Sequence, residues 1–183
     1  MLFRSDEETL LGALRFFYRF AGHGTVAYGD HRGEGGLGSN GKDGMIAAAM
    51  QIATGAKGDV TIYEEARRYL ALSMIDSYVG LVQGHGDDGR GDGIWRSIVT
   101  SYLMKEKPEL YREAMDRVVW WHDLSREPGG SMCIGTLVWE NGVIGSSGPG
   151  IALSYTAPLK TLRITGAPRT KYSKEYTLPA NLW

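Results

Sequence analysis

The sequence predicts a mainly α protein: an α/α toroid-like array of helical hairpins, a partial ring of about three, with a small C-terminal β appendage. Three observations predict it. Three segments carry apolar residues at helical spacing behind recognisable start signals and keep one wet face. Three others are apolar or small nearly all round, and each follows a glycine-rich stretch. Those glycine-rich starts, near residues 41, 91 and 148, are about 50 residues apart, enough for one helical hairpin and a loop.

The first wet-faced helix opens at Ser5, with Glu8 three residues on as a capping box. Leu10, Leu14 and Phe17 then recur at helical spacing until Gly22 stops the run. Met45 to Ala53 is the first enclosed segment and starts directly after GSNGKDG. Thr61 and Glu64 repeat the capping box before Ile62, Ala66, Tyr69 and Leu70, in a pattern that runs to about Val82. Ile94 to Met104 follows GHGDDGRGDG as the second enclosed helix. Pro108 suits a first helical position, and Leu110, Ala114, Val118 and Trp121 form one stripe behind it. Ile151 to Ala157, after GSSGPG, is the weakest of the enclosed set.

Alternation of wet-faced with enclosed helices predicts two concentric layers, the enclosed helices inside and their glycine-rich loops gathered at one end. A closed ring takes about six hairpins, so the chain is expected to be an open half-ring, part of an assembly such as a homo-oligomer, or a fragment of a longer chain. The tail has another character. TLVWE-NG-VIGSS places Asn-Gly between β-favouring runs, a hairpin signal, and Leu159 to Thr165 is short and rich in Thr, Ile and Leu. Pro158, Pro168 and Pro179 exclude a long helix beyond Tyr155. Residues 1–166 are expected to form the helical domain, and residues 167–183 an extended tail.

Within 183 residues there are 26 glycines, roughly twice average usage, which forecasts sharp turns and close backbone approaches. Net charge is −1 with no basic run, which argues against a nucleic-acid partner. Cys133 stands alone, so an internal disulfide and a multi-cysteine zinc site are excluded. Acids in MLFRSDEETL occupy the place of a signal peptide's apolar centre, and no stretch is long enough to span a bilayer. No membrane partner and no export address are expected, although a fragment of a longer precursor would look the same. The compartment and any cofactor stay open.

Chemistry-bearing residues collect in the first two glycine-rich loops. Asp30 beside His31 could form an acid-base pair, since a carboxylate orients imidazole and raises its basicity. Asn40 and Asp43 equally suit capping of the helix that follows. Exposed N–H groups at a helix start and Lys42 would attract an anion, but the P-loop pattern fails because Asp43 replaces the magnesium-binding hydroxyl. His85, Asp87, Asp88 and Asp92 could hold a divalent ion or form a solvated capping loop. The EF-hand pattern fails at Arg90 and Val99, and no metal ligand set is assigned. Trp95, at the start of an inner helix, is a candidate for stacking on a ligand or for core packing. His122 and Arg126 suit a helix C-terminus by the macrodipole alone.

FFYRFAGHGTVAYGDH, GSNGKDGMIAAAM, GHGDDGRGDGIWRSI, HDLSREPGGSM and SYTAPLKTLRITG together resemble successive segments of an uncharacterised bacterial family, a domain of unknown function with a terpenoid-cyclase-like α/α-toroid fold. The likeness runs from about Leu10 to Gly166. It implies ligand binding where inner-helix ends surround a central cavity, with Tyr28, Asp30, His31, Asn40, Lys42, Asp43, His85 and Trp95 at the mouth. It implies no particular activity. The second loop, with Asp87, Asp88 and Asp92, is more acidic than the family pattern, and members are commonly longer.

Two functions follow. One is an enzyme acting on a glycan or related polar polymer, with Asp30 or Asp43 and Asp88 or Asp92 as acid and base, and His31 or His85 as an auxiliary group. Asp87-Asp88 is followed by Gly-Arg-Gly, so a terpene-cyclase aspartate motif is missing. The alternative is a noncatalytic module that binds a glycan or protein partner, because fold alone supplies no chemistry.

Overall fold

The computed structural model describes residues 7–23, 26, 42–76, 92–124, 126, 128–130, 148–173, 175 and 177–183. These residues are mainly helical. α1 spans Glu7–Tyr18, α2 Lys42–Ala53, α3 Thr61–Asp76, α4 Asp92–Thr100, α5 Pro108–Leu124 and α6 Gly148–Thr156, with 3₁₀ turns at Ser101–Leu103, Ala157–Leu159 and Arg163–Thr165.

Glu7 and Glu8 sit in the first turn of α1 and Arg15 in its last, each sign placed to suit the helix dipole. Only Leu14 of this helix is buried, as expected of a one-sided helix. The chain leaves α1 through a series of tight turns that end at Gly22. Its φ of 78° lies in the left-handed region that glycine enters without a Cβ clash.

α2 and α3 form the central hairpin and supply most of the core. Ile46, Ala47, Met50 and Ala53 of α2 pack with Tyr63, Ala66, Leu70, Ala71, Met74 and Ile75 of α3. Met45 and Ile52 remain exposed, so α2 is enclosed on most of its circumference but shows one strip to solvent. Asp59, two residues before Thr61, caps α3: its Oδ1 accepts from the Thr61 backbone N–H at 3.0 Å and the Thr61 hydroxyl at 2.6 Å. Thr61 is therefore the first helical residue and the cap lies upstream of it. These two hydrogen bonds hold the Asp59 carboxyl below its ordinary range.

α4 packs against α2, α3 and α6. Ile98 and Val99 are fully buried, and the segment continues into the Ser101–Leu103 turn, whose Leu103 is also sealed in the core. Buried Arg96 donates to the Met74 carbonyl in the last turn of α3, which ties α4 to that helix. α5 begins at Pro108 as expected and stays peripheral. Glu109 pairs with Arg112 at 2.9 Å on its wet side, and Leu110, Ala114 and Val118 are half-buried.

One expectation needs correction. Leu159 to Thr165, read as extended from its Thr, Ile and Leu content, forms parts of two 3₁₀ turns instead, and no strand occurs among the described residues. Pro158 fits the first turn, Lys160 closes it in the left-handed region, and the Thr165 hydroxyl bonds with the Leu162 backbone to close the second. Local turn chemistry thus overrides β propensity. The proposed Asn-Gly hairpin lies outside the described residues. The tail, moreover, docks on the chain's own core through Leu178 and Leu182. Tyr63 donates its hydroxyl to the Pro179 carbonyl at 2.7 Å, Arg15 donates to the Leu182 carbonyl, and Lys57 and Thr177 form an isolated bridge.

Candidate functional site

In sequence the first glycine-rich stretch runs into α2, whose first turn carries Asp43. It is 1% exposed. Its Oδ1 accepts from the Val26 N–H and its Oδ2 from the Ser73 hydroxyl, both at 2.8 Å. A buried carboxylate is costly unless its oxygens are satisfied. Here both are, and Asp43 ties α2 to the segment after α1 and to the end of α3. Next to it, Gly44 allows α4 to come close: a Cβ at that position would stand 2.6 Å from the Trp95 Cβ and 3.3 Å from the Met74 methyl. Trp95 is half-buried and packs on the core at this crossing.

The first turns of α2 and α4 thereby lie side by side. Lys42 and Asp92 fall in the first turns of these helices, described at the backbone only. Tyr28, Asp30, His31, Asn40, His85 and Asp88 lie outside the described residues, as do Asp87 and Cys133. Among the described residues no group of three or more His, Cys, Asp or Glu is placed to hold a metal ion, and no helix is long and apolar enough to cross a membrane.

At the far end of α5, His122 is buried and its Nδ1 lies 3.2 Å from the Tyr155 hydroxyl of α6. Desolvation lowers its pKa, opposed by the charge of Asp123. This histidine does more than complement a helix dipole, since it forms the polar contact between α5 and α6.

A cleft that the sequence reading did not anticipate opens between the exit of α1, one flank of α3 and the tail. It has a volume of about 560 Å³ and is lined by Tyr18, Arg19, Ala21, Gly22, His23, Glu65, Ala66, Tyr69 and Trp183. That volume falls within the range of small-molecule sites, roughly 300–1,000 Å³. Tyr69 and Trp183 expose much of their surface, and the Arg19 guanidinium lies 5.2 Å from the Trp183 ring centroid, within cation–π range. Gly22 lies beside the Tyr69 ring, which a Cβ on it would meet at 3.7 Å, ordinary van der Waals contact. The aromatic run before Gly22 was visible in the sequence, but nothing local joined it to residues 65–69 or to Trp183.

These features define a mainly helical domain with a ligand-sized, aromatic-walled recess where the end of its first helix, its third helix and its tail meet. Residues 3–166 match the family described as Domain of unknown function (DUF6288), and the chain belongs to that family. Trp183 and the core-docking leucines of the tail lie beyond the matched stretch. Comparison with curated proteins gave no match, and neither did comparison with solved structures.

Proposed function

We propose that the chain is a noncatalytic glycan-binding module and that the cleft of Tyr18, Arg19, His23, Glu65, Tyr69 and Trp183 receives the sugar. The observation that carries this reading is the pairing of exposed aromatic side chains with charged and hydrogen-bonding groups in one recess of ligand size. Aromatic faces pack on the C–H faces of a sugar ring, while guanidinium, carboxylate and imidazole supply directional bonds to its hydroxyls. A glycosidase needs two carboxyl groups flanking the bond it cleaves. Among the described residues the cleft offers one, Glu65, and Asp43 is already committed to structural donors. The binding reading is therefore favoured over the enzyme that uses loop carboxylates.

The order of the helices supports a two-layer, partial toroid as the setting. α4 lies between α2 and α6, which makes a row of the three helices that follow glycine-rich stretches, although Ala152, Tyr155 and Thr156 leave α6 exposed on one side.

The test is calorimetric titration of the purified chain with a panel of oligosaccharides, repeated with Tyr69→Ala and Trp183→Ala and followed by chromatography of the sugar. Binding that both variants lose, with the oligosaccharide recovered intact, is the expected result. Cleavage of the sugar would overturn the noncatalytic reading, and absence of binding to any oligosaccharide would overturn the glycan.

A further inference from the structure

On α3, Arg67 follows Glu65 by two residues, about 200° around the helix axis, and so leaves the helix on the flank away from the cleft. Its guanidinium donates to the Gln51 side-chain carbonyl at 3.0 Å and to Glu106 at 2.9 Å. Glu106 also faces Arg68 at 3.6 Å, so two arginines already share this one carboxylate. Lys105 precedes Glu106 in the turn after Ser101–Leu103. Lys160 reaches the same place from the other side: a Cβ on Gly166 would stand 3.7 Å from the Gln51 amide nitrogen and 3.8 Å from Lys160 Cδ. Gln51 therefore bonds Arg67 and shares with the lysine stem the space beside Gly166.

Neither Lys105 nor Lys160 has an acidic partner among the described residues. Lys160 is, besides, the non-glycine residue there with a left-handed backbone, at a φ of 52°, pinned by its N–H to the Ala157 carbonyl at 3.0 Å. Glycine would make this turn without strain, and strained residues gather where a side chain is needed in place. Burial, then the charges of Lys105 and Arg67, lower the Lys160 pKa, as expected of cations gathered without a counter-charge.

We propose that Arg67, Lys105 and Lys160 form a binding site for a tetrahedral oxyanion of the phosphate or sulfate class. Arg67 presents a planar fork already oriented by Gln51 and Glu106, and the two lysines add mobile point charges, a combination suited to such an anion. An oxyanion would supply the counter-charge that Glu106 alone does not.

Thermal unfolding in inorganic phosphate, inorganic sulfate, glucose 6-phosphate and chloride at equal ionic strength tests the proposal, with phosphorus NMR linewidth as a second readout. The native chain should melt roughly 3 °C higher in about 20 mM oxyanion than in chloride. A larger shift with glucose 6-phosphate than with inorganic phosphate would identify an ester as the source, and the reverse a free ion. Lys160→Gly should keep or raise the melting temperature in chloride, because it relieves the left-handed strain, yet lose the oxyanion shift and the line broadening. Lys105→Gln should lose them too. An equal response to chloride, or an oxyanion shift retained in both variants, would overturn the site.

Discussion

At the scale of single residues, Asp43 and His122 are both buried polar groups, and their partners set opposite kinds of consequence. Replacing Asp43 with Ala leaves the buried Val26 N–H and the Ser73 hydroxyl without this acceptor. The expected loss is about 2–4 kcal/mol, read as a lower urea midpoint with unchanged slope. Asp43→Asn keeps one carbonyl acceptor and should lose about half as much. A cost for Asp43→Ala below about 0.5 kcal/mol would show that the tie is not structural. His122 responds to pH instead. Burial lowers its pKa below the ordinary 6.5, so the unfolded chain takes up the proton first as pH falls. Its contribution is complete above pH 6.5 and declines as pH falls below it towards the folded value. Melting temperature against pH should thus drop less steeply below 6.5 in His122→Asn than in the native chain. Identical slopes would assign the acid sensitivity to other groups.

At the scale of elements, the crossing of α2 and α4 at Gly44 sets propensity against packing. Gly44→Ala should gain about 1 kcal/mol of helix propensity in α2. The new methyl group, however, would meet the Trp95 Cβ at 2.6 Å, an atom fixed to the backbone of α4 that cannot swing aside. Forcing the helices apart costs about 1–3 kcal/mol, so the net effect is destabilising. Thermal unfolding checks the sign: a stabilised variant would mean that α2 and α4 can separate freely. This crossing is also where the sequence was most informative. A glycine-rich entry into an apolar segment marked α2, Pro108 marked α5, and the Leu10, Leu14, Phe17 spacing marked α1, because start signals and periodicity are local properties. The cap of α3 was misplaced, since Asp59 and Thr61 both suit that role and only geometry separates them. The stretch from Leu159 to Thr165 misled for a related reason. Its β-favouring side chains are outweighed by Pro158 and by hydroxyl-to-backbone bonds that a composition rule does not weigh.

At the scale of the whole molecule, the tail joins the core to the cleft, and neither role could be read from EYTLPANLW alone. Alternating small, polar and apolar residues carry no period, and Tyr63, Arg15 and Arg19, the partners of Pro179, Leu182 and Trp183, lie more than a hundred residues away. The cleft was hidden for the same reason, whereas the loop candidates Asp30 and Asp88 stood out only because their residue types are reactive. Adjacent tail residues should therefore separate stability from binding. Leu182 is 1% exposed in the core, and Leu182→Ala should cost about 2–4 kcal/mol by transfer and cavity terms. Trp183 is 64% exposed, its ring contacts Arg19, and its backbone N–H bond to the Asn181 side chain survives truncation, so Trp183→Ala should cost less than about 1 kcal/mol. Oligosaccharide affinity should follow the other order at a temperature where both variants remain folded, with Trp183→Ala losing more because it removes a wall of the cleft. Urea unfolding and calorimetric titration of the two variants measure both quantities. If Trp183→Ala were as destabilising as Leu182→Ala, the tryptophan would be a core anchor and not a sugar platform; if Leu182→Ala left stability intact, the tail would not be fastened to the helices as described.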